Sequence, residues 1–188
     1  MKSSGLTFAL LIFLLPSLAM GASQKYRLLE SGAGSWETQS SGVTFSLSQI
    51  MPLQLKAFYL NRGFSLEQID PYVQSCVYMT VFRNDAAEGT VHFIRQNWLV
   101  RVDGQAHALV PVSEWMDGFK SAGIKNTALV AFRWAQFPPE QSYEPGGDWN
   151  QGMLSMGLEP GSEFDVTARW DIDGREFEAT LEDVHCDQ

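Results

Sequence analysis

Cysteine and histidine are scarce in this chain of 188 residues, which holds two of the first and three of the second. Scarcity of these side chains removes whole classes of chemistry. Zinc peptidases of the common kind need two imidazoles one helical turn apart, and no H-E-x-x-H occurs. Serine hydrolases place the nucleophile on a glycine-flanked turn, and no G-x-S-x-G occurs either. His92, His107 and His185 lie far apart. His92 and His107 fall in the two arms of one hairpin, but His107 sits opposite Val100 or Arg101, well short of His92. Phosphate-cradling loops are missing as well, because Gly146-Gly147 runs into Asp148, whose charge repels phosphate. The residues make no case for an enzyme, and they imply no cofactor and no metal.

Positive charge is also in short supply. There are 13 Lys and Arg against 22 Asp and Glu, a net charge of −9. Nucleic-acid binding rests on neutralising phosphates with Lys and Arg, so the balance argues against it and against anionic lipid surfaces. Solubility is the simpler meaning of the charge. Carboxylates such as Glu176, Glu178 and Glu182 read as a charged strand face that discourages edge-to-edge pairing, not as an acid–base pair in a groove.

Long apolar runs are absent after the first residues. The opening "MKSSGLTFALLIFLLPSLAMGAS" carries one early charge, Lys2, then an apolar run from Leu6 to Leu15, Pro16, and small residues around Gly21. This is the layout of a cleavable secretory signal, too short to span a bilayer comfortably. Cleavage after Gly21 leaves a mature chain of about 167 residues, enough for one domain with a sizeable core. It removes Lys2 and no acid, so the net charge moves from −9 to −10. The expected address is periplasmic or secreted, with no membrane insertion after cleavage.

In that setting Cys76 and Cys186 are expected to form a disulfide. A metal site on His185-Cys186 is the competing reading, and two sulfurs with one adjacent imidazole make a poor ligand set.

What is present is mostly strand. Residues 22–42 are polar and glycine-rich and read as a flexible N-terminal arm, leaving 43–188 as the folded domain. Val43, Phe45 and Leu47 alternate with polar residues, the period of a half-buried strand. Pro52 divides the next stretch, whose second piece runs from 54 to 60. Arg62 in "NRGF" reads as a structural turn residue. Ser65 and Gln68 form a weak capping box, and Asp70-Pro71 marks a helical start, so 66–75 is read as one or two helical turns. "CVYMTVFRND" reads as a strand buried on both faces.

Two hairpins follow, each with an Asp-Gly turn that supplies positive φ, at Asp103-Gly104 and Asp173-Gly174. The first contains a phase change near 95–97 that predicts a bulge. In the second, Phe164, Val166, Ala168, Trp170 and Ile172 share one face. Between the hairpins, "PVSEWMDGFK" predicts a short helix capped by Ser113, and "NTALVAFRWAQF" predicts another strand.

The whole predicts a mainly β fold: a single antiparallel β-sandwich with one or two short helices. From about 76 to 186 the pattern resembles an immunoglobulin-like sandwich, with "LEPGSEFDVTARW" as a Pro-Gly turn feeding an alternating strand. The resemblance is one of architecture and implies no function. A small antiparallel barrel is the alternative.

The stretch "GGDWNQGMLSMGLEPGSEF" raises the functional question, because 138–161 reads as a long loop and long loops in compact domains often carry function. Tyr143 and Trp149 with Asp148, Asn150 and Gln151 suggest a glycan site. Met153 and Met156 form M-x-x-M, a thioether pair that suits Cu(I). An exposed Trp with two Met residues also suits a protein partner. The blander reading is a corner whose Trp and Met residues fill the core. The expectation is an exported, non-catalytic accessory or protein-binding module of the cell envelope, partnered by another envelope protein. The alternative is a periplasmic small-ligand binder for Cu(I) or a glycan.

Overall fold

The structure is a computed structural model that describes residues 23–187, so the expected leader lies outside the described residues. Strand makes up 44% and helix 24%, arranged as two antiparallel sheets packed together with four helices. The first sheet has the order β1 (Lys25–Leu28), β2 (Gly34–Ser40), β3 (Val43–Gln49), β4 (Val77–Asn84), β9 (Asp148–Ser155). The second is built along β10 (Glu163–Ile172). One side of β10 pairs with β11 (Arg175–His185). The other side pairs with β6 (Leu99–Val102) at residues 165–167 and with β5 (Val91–Ile94) at 171–172. β7 (Gln105–Ala108) and β8 (Glu140–Tyr143) flank β6 and β5.

The alternating pattern of the second hairpin places its predicted apolar face in the sandwich core. There Val166, Ala168 and Trp170 meet Phe45, Tyr78 and Phe82 from the first sheet. Trp98 packs edge-on against Phe45 at 5.2 Å and tilted against Phe82 at 5.6 Å. Both Asp-Gly turns adopt the expected positive φ, 50° and 77° at Asp103-Gly104 and 52° and 77° at Asp173-Gly174. The phase change near 95–97 is a 3-10 turn that separates β5 from β6. Cys76 and Cys186 are bonded, joining the residue before β4 in one sheet to the residue after β11 in the other.

A third layer covers the outer face of the first sheet. It contains α1 (Pro52–Leu60), α2 (Leu66–Val73), α3 (Val112–Ser121) and α4 (Asn126–Ala135). Val77, Met79 and Met153 rise from β4 and β9 into this layer. Its centre is a ring of aromatic contacts that runs through all four helices. Tyr59 meets Tyr72 at 5.7 Å, Tyr72 meets Trp115 at 5.2 Å, Phe119 meets Phe132 at 4.8 Å, and Tyr59 meets Phe132 at 5.5 Å. β4 is therefore covered on both sides, as its continuous apolar run predicts.

Several expectations are corrected. The segment 22–42 is no arm: it holds β1 and β2, and the sandwich begins at Lys25 rather than at 43. Its Ser and Gly content disguises the strand. Ser35 is bonded across to Ser48 at 2.9 Å, and Trp36 lies over Gly34, where any Cβ would overlap the indole. Among the described residues the α-helices number four instead of one or two. Pro52 opens α1 instead of dividing that stretch into two pieces, since a first helical position needs no N–H donor. The capping box on α2 is present, with Ser65 Oγ accepting from Gln68 N at 3.2 Å and Gln68 Oε1 accepting from Ser65 N at 2.9 Å. Asp70-Pro71 does not start a helix, however, but lies inside α2. Ser113 caps nothing; α3 starts from Pro111.

"NTALVAFRWAQF" is the helix α4, not a strand. Its β-branched and aromatic residues suggest a strand, yet Ala128, Leu129 and Phe132 recur at helical spacing and pack onto the aromatic ring below. Finally, 138–161 is no long loop. It contains β8 and the eight-residue β9, with Gly146-Gly147 carrying the chain from one sheet to the other.

Candidate functional site

The six residues singled out in and beside that stretch do not converge. Tyr143 is buried in the sandwich against Phe82 and Phe93. Asp148 is exposed at the start of β9 and accepts the Glu144 N–H at 3.2 Å. Trp149 is half-exposed, and Asn150 beside it is partly buried. Alternation along β9 sends neighbouring side chains to opposite faces of the sheet. Met153 and Met156 are both buried, Met153 under the helices and Met156 between the sheets. The M-x-x-M spacing thus serves two separate cores.

Two surface hollows stand out among the described residues. The first, of about 850 Å³, lies on the second sheet and is lined by His92, Gln96, Asn97, Arg169, Asp171 and Glu178 among others. Sequence reasoning placed His92 apart from His107 but did not see its actual partners. His92 Nε2 lies 2.9 Å from Glu140 and Nδ1 3.0 Å from Asp171. These hydrogen bonds, that to Glu140 first, raise its pKa above the ordinary imidazole value. Both ring nitrogens are thus engaged by carboxylates. Arg169 is likewise paired with Glu178 at 3.1 Å. The hollow's charges largely satisfy one another. Among the described residues, no group of three or more His, Cys, Asp and Glu is placed to hold a metal ion.

The second hollow, of about 940 Å³, is a groove between α2, α3 and the segment after β9. Pro71, Val110, Trp115, Phe119 and Leu158 supply apolar surface. Glu67, Glu114 and Glu159 also line it, one from each wall, and no Lys or Arg does. None of these three carboxylates joins an ion pair among the described residues. Trp115 closes one side with its indole N–H buried and without a hydrogen-bond partner. Gly157, at φ 70°, lets the third wall approach closely, since a Cβ there would stand 2.7 Å from Val110 Cγ2. On α3, Gly118 leaves the opposite side open, with no atom within 4 Å of where its Cβ would be.

The amphipathic pattern of "PVSEWMDGFK" announces Trp115 and Phe119 as inward residues. The groove itself is assembled from three separate stretches of chain and had no linear signal. Comparison with family models, with curated proteins and with solved structures finds no match to this chain.

Proposed function

We propose that this protein is an exported, non-catalytic protein-binding module of the cell envelope, and that its groove between α2 and α3 takes a segment of a partner protein. One observation carries the reading: an apolar trough is walled by three unpaired carboxylates and by no cation. Such a trough suits an extended or helical segment with an aliphatic or aromatic anchor and flanking Lys or Arg residues. The disulfide supports an oxidising compartment, and among the described residues no helix is long and apolar enough to cross a membrane. The mutual pairing of His92, Arg169 and their carboxylates supports the absence of catalysis.

Peptide display on the immobilised protein tests this. Selected peptides are expected to combine an apolar anchor with basic flanks. Their affinity should fall about tenfold or more on Glu114→Lys and on Gly118→Phe, which adds bulk on the groove side of α3 where a Cβ meets no atom within 4 Å. Selection of acidic peptides, or affinities that ignore both substitutions, would refute the reading.

A further inference from the structure

The charge of the helix layer is divided between its halves. No Asp or Glu occurs from 38 to 66 or from 118 to 139, and these two stretches contain α1 and α4. They carry Lys56, Arg62, Lys120, Lys125 and Arg133, of which Lys120 belongs to the end of α3 and is paired with Asp117 at 2.9 Å. Of these, Lys56 is paired with Asp70 of α2 at 3.0 Å. Arg62 stacks 3.4 Å above the Phe58 ring and donates to the Phe58 carbonyl, the structural use read from "NRGF", but its charge stays on this side of the layer. The carboxylates of the layer, Glu67, Asp70, Glu114 and Asp117, belong to α2 and α3.

The same two helices expose apolar residues directly away from the sheet. On α1, Leu55 and Tyr59 are buried, and Leu53, Ala57 and Leu60 form a stripe on the opposite side. On α4, Ala128, Leu129 and Phe132 are buried, and Val130 and Trp134 stand opposite, one turn apart. Leu53 is 80% exposed and Trp134 84%. The helices are neighbours, since Tyr59 and Phe132 are in ring contact and a Cβ on Gly63 would lie 3.8 Å from that of Ala128. Both cover one face of one sheet, so both stripes look outward together.

We propose that the outward face of α1 and α4 docks the protein on an anionic lipid surface. Leu53, Leu60, Val130 and Trp134 enter the headgroup layer, and Arg62, Lys125 and Arg133 meet lipid phosphates. The total charge of the chain points the other way, but a bilayer meets only the face turned toward it, and charge acts there within about one Debye length. The apolar side chains project singly from two helices and line neither of the two hollows, a form that suits a fluid interface better than a shaped protein surface. An exposed Trp beside Lys and Arg is the composition of helices that lie in the interfacial plane. This face is distinct from the α2–α3 groove, so either proposal can fail alone.

Vesicle flotation of the chain from residue 22 onward tests it, with phosphatidylcholine alone or with about 40% phosphatidylglycerol. Binding is expected on the anionic vesicles, about tenfold weaker on neutral ones and about tenfold weaker in 0.5 M salt. Leu53→Ser with Trp134→Ser should reduce it about tenfold, and so should Lys125→Glu with Arg133→Glu, each with unchanged circular dichroism. Absence of binding, equal binding to both vesicle types, or equal flotation of wild type and either double variant overturns the proposal. So does a concentration-dependent dimer that Trp134→Ser abolishes, which assigns the face to a second copy. A photocrosslinker at position 134 that labels protein instead of lipid in cells overturns it too.

Discussion

The phenolic hydroxyl of Tyr59 donates to the thioether of Met153 across 3.2 Å, tying α1 to β9 through the floor of the helix layer. The same hydroxyl accepts from the Gln136 amide at 3.0 Å, and the Tyr72 hydroxyl donates to the other end of that amide at 2.8 Å. Burial pushes both phenols well above the ordinary tyrosine value, so they remain neutral donors at any pH the fold meets. Met153 is thereby a structural acceptor inside a polar chain that crosses an aromatic core. Met153→Ala should cost about 2–4 kcal/mol from the cavity alone. Met153→Leu keeps most of the volume but takes away the acceptor of the Tyr59 O–H, at about 1–3 kcal/mol. Urea unfolding of the two variants measures this. A Met153→Leu protein as stable as the wild type would mean that the sulfur contact contributes nothing.

His92 gives the second sheet a dependence on pH. Glu140 of β8 and Asp171 of β10 hold its two nitrogens, so the charged ring bridges three strands. Its pKa is raised above the ordinary 6.5, first by Glu140 and then by Asp171. A raised pKa means that the folded state binds the proton more tightly than the unfolded chain. The added stability is therefore complete below 6.5 and disappears as pH climbs through the folded value. The ring is a third exposed, so solvent screens the effect. The difference in melting temperature between wild type and His92→Gln should be largest near pH 5.5 and shrink steadily toward pH 8.5. A pH-independent difference would assign the role of His92 to packing and not to charge.

The features readable from the sequence are those written into neighbouring residues. The β10–β11 hairpin, its Asp173-Gly174 turn and the capping box at Ser65 and Gln68 depend on spacings of a few positions, and all are present. Those that were misread depend on a partner elsewhere in the chain. α4 takes helical form on an aromatic floor supplied by Tyr59, Phe64 and Phe119, and nothing inside "NTALVAFRWAQF" announces that floor. Gly152, which looks like loop punctuation, lies mid-strand because Phe137 crosses so closely that any Cβ would overlap its backbone. The groove was invisible for the same reason: Glu67, Glu114 and Glu159 become neighbours only when α2, α3 and the end of β9 meet.

The Cys76–Cys186 bond spans a sequence separation of 110 and closes a long loop. The chain-entropy argument assigns about 4–5 kcal/mol to such a loop, as restriction of the unfolded state. The folded C-terminus is also held without it. Cys186 N donates to Ser162 at 2.9 Å, Gly161 N donates back to Cys186, Gln49 Nε2 donates to the Asp187 carbonyl at 2.8 Å, and the Tyr78 hydroxyl donates to that of His185 at 2.7 Å. These bonds keep the two sheets in register when the sulfurs are removed. A Cys76→Ala/Cys186→Ala protein should accordingly keep its strand signal in circular dichroism and lose about 2–4 kcal/mol in urea unfolding. Its m-value should rise, because an unfolded chain without the crosslink exposes more surface. A double variant that lost its strand signal would show that the bond shapes the native state. One with unchanged stability and m-value would show that the unfolded chain is already closed by other contacts.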